Sequence, residues 1–117
     1  MIQNREIKKL KGKTKIDLVF RKGKAIKYGG LSLHYMNNNE DFQSIELGVG
    51  VSKKFILLAT KRNRIKRQIN GEIQKQKLEI LTLLPDGLYM ILFNGKLTID
   101  SESIRKDLKD LLEHFTA

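Results

Sequence analysis

Between Ile45 and Val51 apolar residues alternate strictly with Glu46, Gly48 and Gly50, and further along the period changes, for Ile65, Ile69 and Ile73 recur every fourth residue. A period of two marks a strand with one buried face, and a period near four marks a helix with an apolar stripe. A chain holding both must lay a sheet face against a helix, which makes it an α+β chain.

The other segments extend that pattern. Leu31, Leu33 and Tyr35 alternate with Ser32, His34 and Met36 after Gly29 and Gly30, and the sequence predicts that this strand pairs with 45–51 as a hairpin through a polar turn at 37–41. Leu88 to Phe93 is a continuous apolar run suited to a strand buried in the sheet, and a further short strand fits around Lys24 to Tyr28. Thr14 begins a short helix carrying Ile16, Val19 and Phe20 and ending near Gly23. A long central helix is predicted over roughly 59–78, closed by Leu81 to Asp86 with Pro85. Asp100 or Ser101 caps a last helix whose stripe is Ile104, Leu108, Leu111, Leu112 and Phe115. The expectation is a single domain over residues 1–117, with a mixed sheet of about four strands, a long central helix and a C-terminal helix. Residues 1–12, with Lys8, Lys9 and Lys11, are expected to form a mobile basic arm.

The formal net charge is +10, and it is unevenly spread. Residues 1–70 hold 17 basic and 5 acidic side chains, whereas residues 71–117 hold 6 and 8. A polyanionic partner for the first part follows from that imbalance. The absence of cysteine excludes disulfides and thiolate metal sites. Apolar runs such as Phe55 to Thr60 fall far short of the ~20 residues that cross a bilayer. The first residues lack the apolar core of a signal peptide, so the expected location is cytoplasmic, without a membrane partner.

The cations concentrate in one segment: Lys61, Arg62, Asn63, Arg64, Ile65, Lys66, Arg67, at the start of the central helix. At about 100° per residue, Arg64, Lys61, Arg67 and Lys75 fall on one flank of the stripe formed by Ile65, Ile69 and Ile73. One side of the helix is thus free for phosphates while another packs on the sheet, and arginine forks suit phosphate oxygens. The plainer reading is a solvated basic face. Against it stands the lack of any acid from Val49 to Gly71, since uncompensated like charges within a turn destabilise a helix. Arg62 falls on the apolar side, where it suits anchoring the helix start.

Val51, Ser52, Lys53 and Lys54, followed by Arg62, Asn63, Arg64, Ile65, Lys66 and Arg67, resemble the signature of the bacterial ribonuclease P protein family. Val19, Phe20, Arg21, Lys22 and Gly23 resemble its first helix and the glycine that follows, and the likeness runs from about residue 10 to 115. Asn70, Leu57, Leu58 and Ile16 depart from the family pattern. The resemblance implies a fold like the second domain of a small ribosomal-subunit protein, with a left-handed βαβ crossover against the usual right-handed rule.

It also implies a protein subunit that binds a catalytic RNA and the 5′ leader of precursor tRNA, promoting 5′-end maturation by an endoribonuclease whose catalytic groups belong to the RNA. Magnesium is then held mainly by that RNA and not tightly by the protein, no residue here is catalytic or a metal ligand, and no protein partner is required. Lys53, Lys54, Lys61, Arg62, Asn63, Arg64, Lys66 and Arg67 become the RNA-binding set. The implied leader groove lies between the central helix and one face of the sheet, with Phe20, His34 and Ser52 as its candidates. Phe20 is equally suited to the core, and His34 to plain exposure. A general RNA-binding module such as a ribosomal protein is the alternative from sequence. A metal-dependent nuclease acting alone is a third reading; the chain has no His-x-His pair, and Asp107 and Asp110 alternate with Lys106 and Lys109 as a solvated surface does.

Overall fold

The computed structural model describes residues 7–37, 44–52, 56–94 and 101–115, and in it the continuous apolar run of the sequence forms the middle strand of a five-stranded sheet. In chain order the elements are β1 (Ile7–Lys9), α1 (Lys13–Lys22), β2 (Lys24–Tyr28), β3 (Leu31–Met36), β4 (Ile45–Val51), α2 (Ala59–Lys75), α3 (Lys77–Leu83), β5 (Gly87–Phe93) and α4 (Ser101–Phe115). The strand order is β1-β4-β5-β3-β2. β1, β4 and β5 run parallel, and β3 is antiparallel to both β5 and β2. The single α+β domain with a mixed sheet is as expected, with five strands in place of about four.

Side chains alternate across β5, so its two faces need two covers. Tyr89, Ile91 and Phe93 join Leu31, Leu33, Ile45, Leu47 and Val51 under Ile65, Ile69 and Ile73 of α2 and Ile104, Leu108, Leu111 and Leu112 of α4. Leu88 and Met90 meet Leu10 and Val19 on the opposite face, with Ile16 and Leu92 at its margin. The smaller core is the reason α1 lies where it does.

The expected hairpin between residues 31–36 and 45–51 does not form, because β5 lies between β3 and β4 and pairs with both. A strand apolar on both faces is best protected in the middle of a sheet. The resulting parallel pair β4 and β5, connected through α2 and α3, forms a βαβ unit. Part of the expected arm is also a strand, as Ile7, Lys8 and Lys9 pair with Ile45, Glu46 and Leu47. The glycines of β4 leave room for neighbouring side chains. A Cβ on Gly48 would lie 2.5 Å from Met90 Sδ, and one on Gly50 2.8 Å from Leu92 Cδ2.

The central helix is shorter than predicted and turns into α3 at Gln76. Steps of four advance the stripe by about 40° each, so its continuation to Lys77 would drift off the core. The chain instead steps by three to Gln76, and Ile80 and Leu84 become the next buried positions. Beside this bend lies Glu72, only 2% exposed. Its carboxylate accepts from Arg105 Nε of α4 at 3.0 Å and from Lys75 Nζ at 3.4 Å. Gln76 Nε2 adds a bond to the Arg105 carbonyl at 3.3 Å. Asp107, expected to be merely solvated, accepts the Gly30 N–H at 3.1 Å and ties α4 to the β2–β3 turn, where Gly29 has a φ of 59°.

The hydrogen bond and charge of Arg105, with help from Lys75, hold the Glu72 carboxyl below its ordinary pKa of 4.5. A carboxyl depressed on folding contributes stability that is present above its unfolded pKa and lost as pH falls toward its folded one. The urea midpoint should therefore decline below about pH 4.5, and Arg105→Met should shrink that decline. Urea titrations of both proteins from pH 3 to 7 test this, and parallel pH profiles would mean that Glu72 contributes nothing to the acid limb.

Candidate nucleic-acid interface

Two surfaces collect the residues singled out in the sequence, and they lie on opposite faces of the sheet. The first is the start of α2. Its N-cap is Leu58, which makes no side-chain capping bond, and its first turn has no acidic residue. Free N–H groups and the positive end of the helix dipole therefore coincide with Lys61, Arg62 and Arg64, an arrangement unfavourable for the isolated protein and favourable beside an anion.

Lys61, Asn63, Arg64 and Arg67 are exposed, Lys66 is half-buried, and Ile65 is in the core. The ion pairs among the described residues are Lys15 with Glu46, and Lys75 and Arg105 with Glu72, so none neutralises the cluster. Lys75, which shares the flank of Arg64 on the helical wheel, is drawn instead to Glu72. Arg62 has the anchoring role: its Nη1 donates to the carbonyls of Ile56 and Leu57 at 2.7 and 2.8 Å. Held there through Nη1, Arg62 fixes the helix start that carries the neighbouring cations. Lys53 and Lys54 lie outside the described residues.

The second surface is the face of the sheet that α1 covers in part. Phe20 is 39% exposed, beyond the smaller core filled by Val19, and its ring meets His34 edge-on at 4.8 Å between centroids. Partial burial lowers the His34 pKa, so the imidazole is neutral at pH 7. Ser32 Oγ lies 3.4 Å from His34 Nε2 and accepts from Asn94 Nδ2 at 2.9 Å. Across the same face run Met90 and Gly48 beside His34, and Leu92 and Gly50 beside Ser32. Ser52 follows β4 just past this row and is half-buried.

This position corrects one expectation. Phe20 and His34 do not face the central helix, because the space between α2 and the sheet is filled by Ile65, Ile69 and Ile73. Phe20 and His34 lie instead where α1 meets the opposite sheet face. Sequence reasoning placed Ser32 and His34 on one side of a strand, but had no means of adding Asn94, Met90 and Leu92, which β5 brings in by its register.

Comparison with known proteins supplies the family and matches the fold. The family model described as Ribonuclease P matches residues 5–116. The ribonuclease P protein component of Blochmanniella floridana is 30% identical over 97 residues, covering 83% of this chain and 78% of that protein. That of Borreliella burgdorferi is 31% identical over 103 residues, covering 88% and 85%. Among solved structures, the Staphylococcus aureus RNase P protein superposes with a TM-score of 0.74 at 21% identity, over 93% of this chain and 95% of that one. The Thermotoga maritima protein gives 0.70 at 25%, over 92% and 96%. With its Arg-Asn-Arg helix, its sheet order and nearly its whole length accounted for, this chain belongs to the bacterial ribonuclease P protein family.

Proposed function

We propose that this chain serves as the protein subunit of ribonuclease P, gripping the catalytic RNA through the start of α2 and the 5′ leader of precursor tRNA through the surface between α1 and the sheet. The observation that carries the reading is the unneutralised cluster of Lys61, Arg64 and Arg67 at an uncapped helix start, built at the expense of the free protein's stability. Phosphate contacts of that kind set position and affinity without reading bases.

The second surface suits a different task. A neutral His34 and an exposed Phe20 offer packing area and little charge, which fits unpaired bases better than phosphates. In this reading magnesium and the cleavage chemistry belong to the RNA, and the chain works in the cytoplasm, where precursor tRNA is made. No helix among the described residues is long and apolar enough to cross a membrane, and none of their His, Asp and Glu side chains form a metal-binding group of three. A general RNA-binding module would use the basic helix alike, but would have no need of a leader surface.

Reconstitution gives the direct test. Precursor tRNA incubated at low magnesium with a bacterial ribonuclease P RNA should be cleaved much faster when this protein is added, and no stimulation would sink the reading. Cleavage by the protein without RNA would point to a nuclease instead.

The two surfaces should fail separately. Phe20→Ala should weaken binding of precursor tRNA by the assembled enzyme, by about 1 to 3 kcal/mol if a base stacks there, and spare mature tRNA. Arg64→Ala with Arg67→Ala should weaken assembly with the RNA subunit. Phe20 is exposed, so its loss is not a core deletion, and equal effects on both substrates would remove it from the leader surface.

Lys61→Glu should separate stability from binding. A carboxylate in the first turn of α2 gains about 0.3 to 1 kcal/mol from the dipole, raising the thermal midpoint while reducing RNA affinity. A lower midpoint, or undiminished affinity, would contradict the assigned role of that turn.

A further inference from the structure

On the other flank of α2, away from Arg64 and α4, a cleft of about 410 Å³ separates the helix from the edge strand β1. Its polar side chains are Lys9, Lys66, Asn70 and Gln74, and its floor is apolar, formed by residues such as Leu47, Val49 and Ile73. Among the described residues, no carboxylate and no aromatic ring lines it.

We propose that this cleft is a second phosphate-binding surface, which takes the sugar-phosphate backbone of an RNA strand continuing past the start of α2. The inference rests on the ribonuclease P reading and assigns it a contact that Lys61, Arg64 and Arg67 do not make. Lys66, Asn70 and Gln74 are four apart, so they form one row along α2, and β1 sets Lys9 across from that row, whereas the Lys8 side chain, in register with Glu46, belongs to the opposite face. Lys9 pairs with Leu47 in the strand register, and the apolar floor supports the lysine stems while their ammonium groups reach solvent.

The chemistry of the lining selects the ligand. Two ammonium groups, of Lys9 and Lys66, with two amide side chains and no acid among the described lining residues, fit phosphodiester oxygens and the hydroxyls of ribose. Without a ring on which a base could stack, the cleft has no platform for base contacts, in contrast to the surface beside Phe20 and His34. The phosphodiester has two sources, the catalytic RNA and precursor tRNA, and both are presented in the test.

Binding would be measured against salt for the unaltered protein, for Lys9→Gln with Lys66→Gln, for Asn70→Glu, and for Arg64→Ala with Arg67→Ala. One arm titrates protein into a bacterial ribonuclease P RNA transcript, and the other titrates precursor tRNA into the assembled enzyme. For every phosphate no longer neutralised, the plot of log affinity against log salt should flatten by roughly 0.7 to 0.9, and Asn70→Glu should weaken binding by placing a carboxylate in the cleft. A change in the first arm assigns the cleft to the catalytic RNA, and a change confined to the second assigns it to the tRNA. Unchanged slopes and affinity in both arms, with Arg64→Ala/Arg67→Ala impaired, overturn the cleft and leave the ribonuclease P reading standing. Failure of the unaltered protein to bind the transcript overturns both. Asn70 is exposed, so its variant keeps the test valid if the lysine pair proves unstable in a thermal melt.

Discussion

Strand β5 carries apolar side chains to both faces of the sheet, and the rest of the molecule is arranged around the need to keep both out of water. Tyr89, Ile91 and Phe93 call for the large cover of α2 and α4, and Leu88 and Met90 for the small one of α1. Burying an apolar side chain of this size contributes on the order of 1.5 to 3 kcal/mol, so neither face is optional. Because α1 is short, it covers only part of its side. His34, Leu92 and Asn94 on that side stay only partly buried, beside the exposed ring of Phe20.

The basic helix illustrates how a fold and a binding site divide one element. Ile65, Ile69 and Ile73 fix α2 to the sheet, and Glu72 with Arg105 ties its far end to α4. Those contacts allow the helix start to carry Lys61, Arg62 and Arg64 against its own dipole. Arg62 reduces the strain of that arrangement by bonding the carbonyls of Ile56 and Leu57, which leaves its neighbours pointing outward. A phosphate placed there would relieve what the tertiary structure tolerates.

Charge and apolar surface are thereby kept apart by the thickness of the sheet. The cations of α2 lie on one side, and the neutral pair of Phe20 and His34 on the other. The two surfaces therefore differ in physical character, one suited to phosphates and the other to rings.

The sequence by itself determined what depends on neighbours along the chain. Periodicity identified β3, β4, β5 and the stripes of α2 and α4, and the excess of lysine and arginine with no nearby acid marked the start of α2. The family motif was legible for the same reason, since Arg62 to Arg67 are contiguous. What the local pattern did not hold was which strand lies beside which. Residues 31–36 and 45–51 look like a hairpin until β5, remote in sequence, competes for the place between them and wins by being apolar on both faces. That single insertion decides the rest: it puts Phe20 and His34 on the face away from α2, fills the space under β4's glycines with Met90 and Leu92, and leaves β4 with an outer edge to which Ile7, Lys8 and Lys9 add. Lys9 and Lys66 share a cleft only because of that pairing. Contacts between distant segments depend on the balance of burial over the whole sheet, and no window of sequence contains that balance.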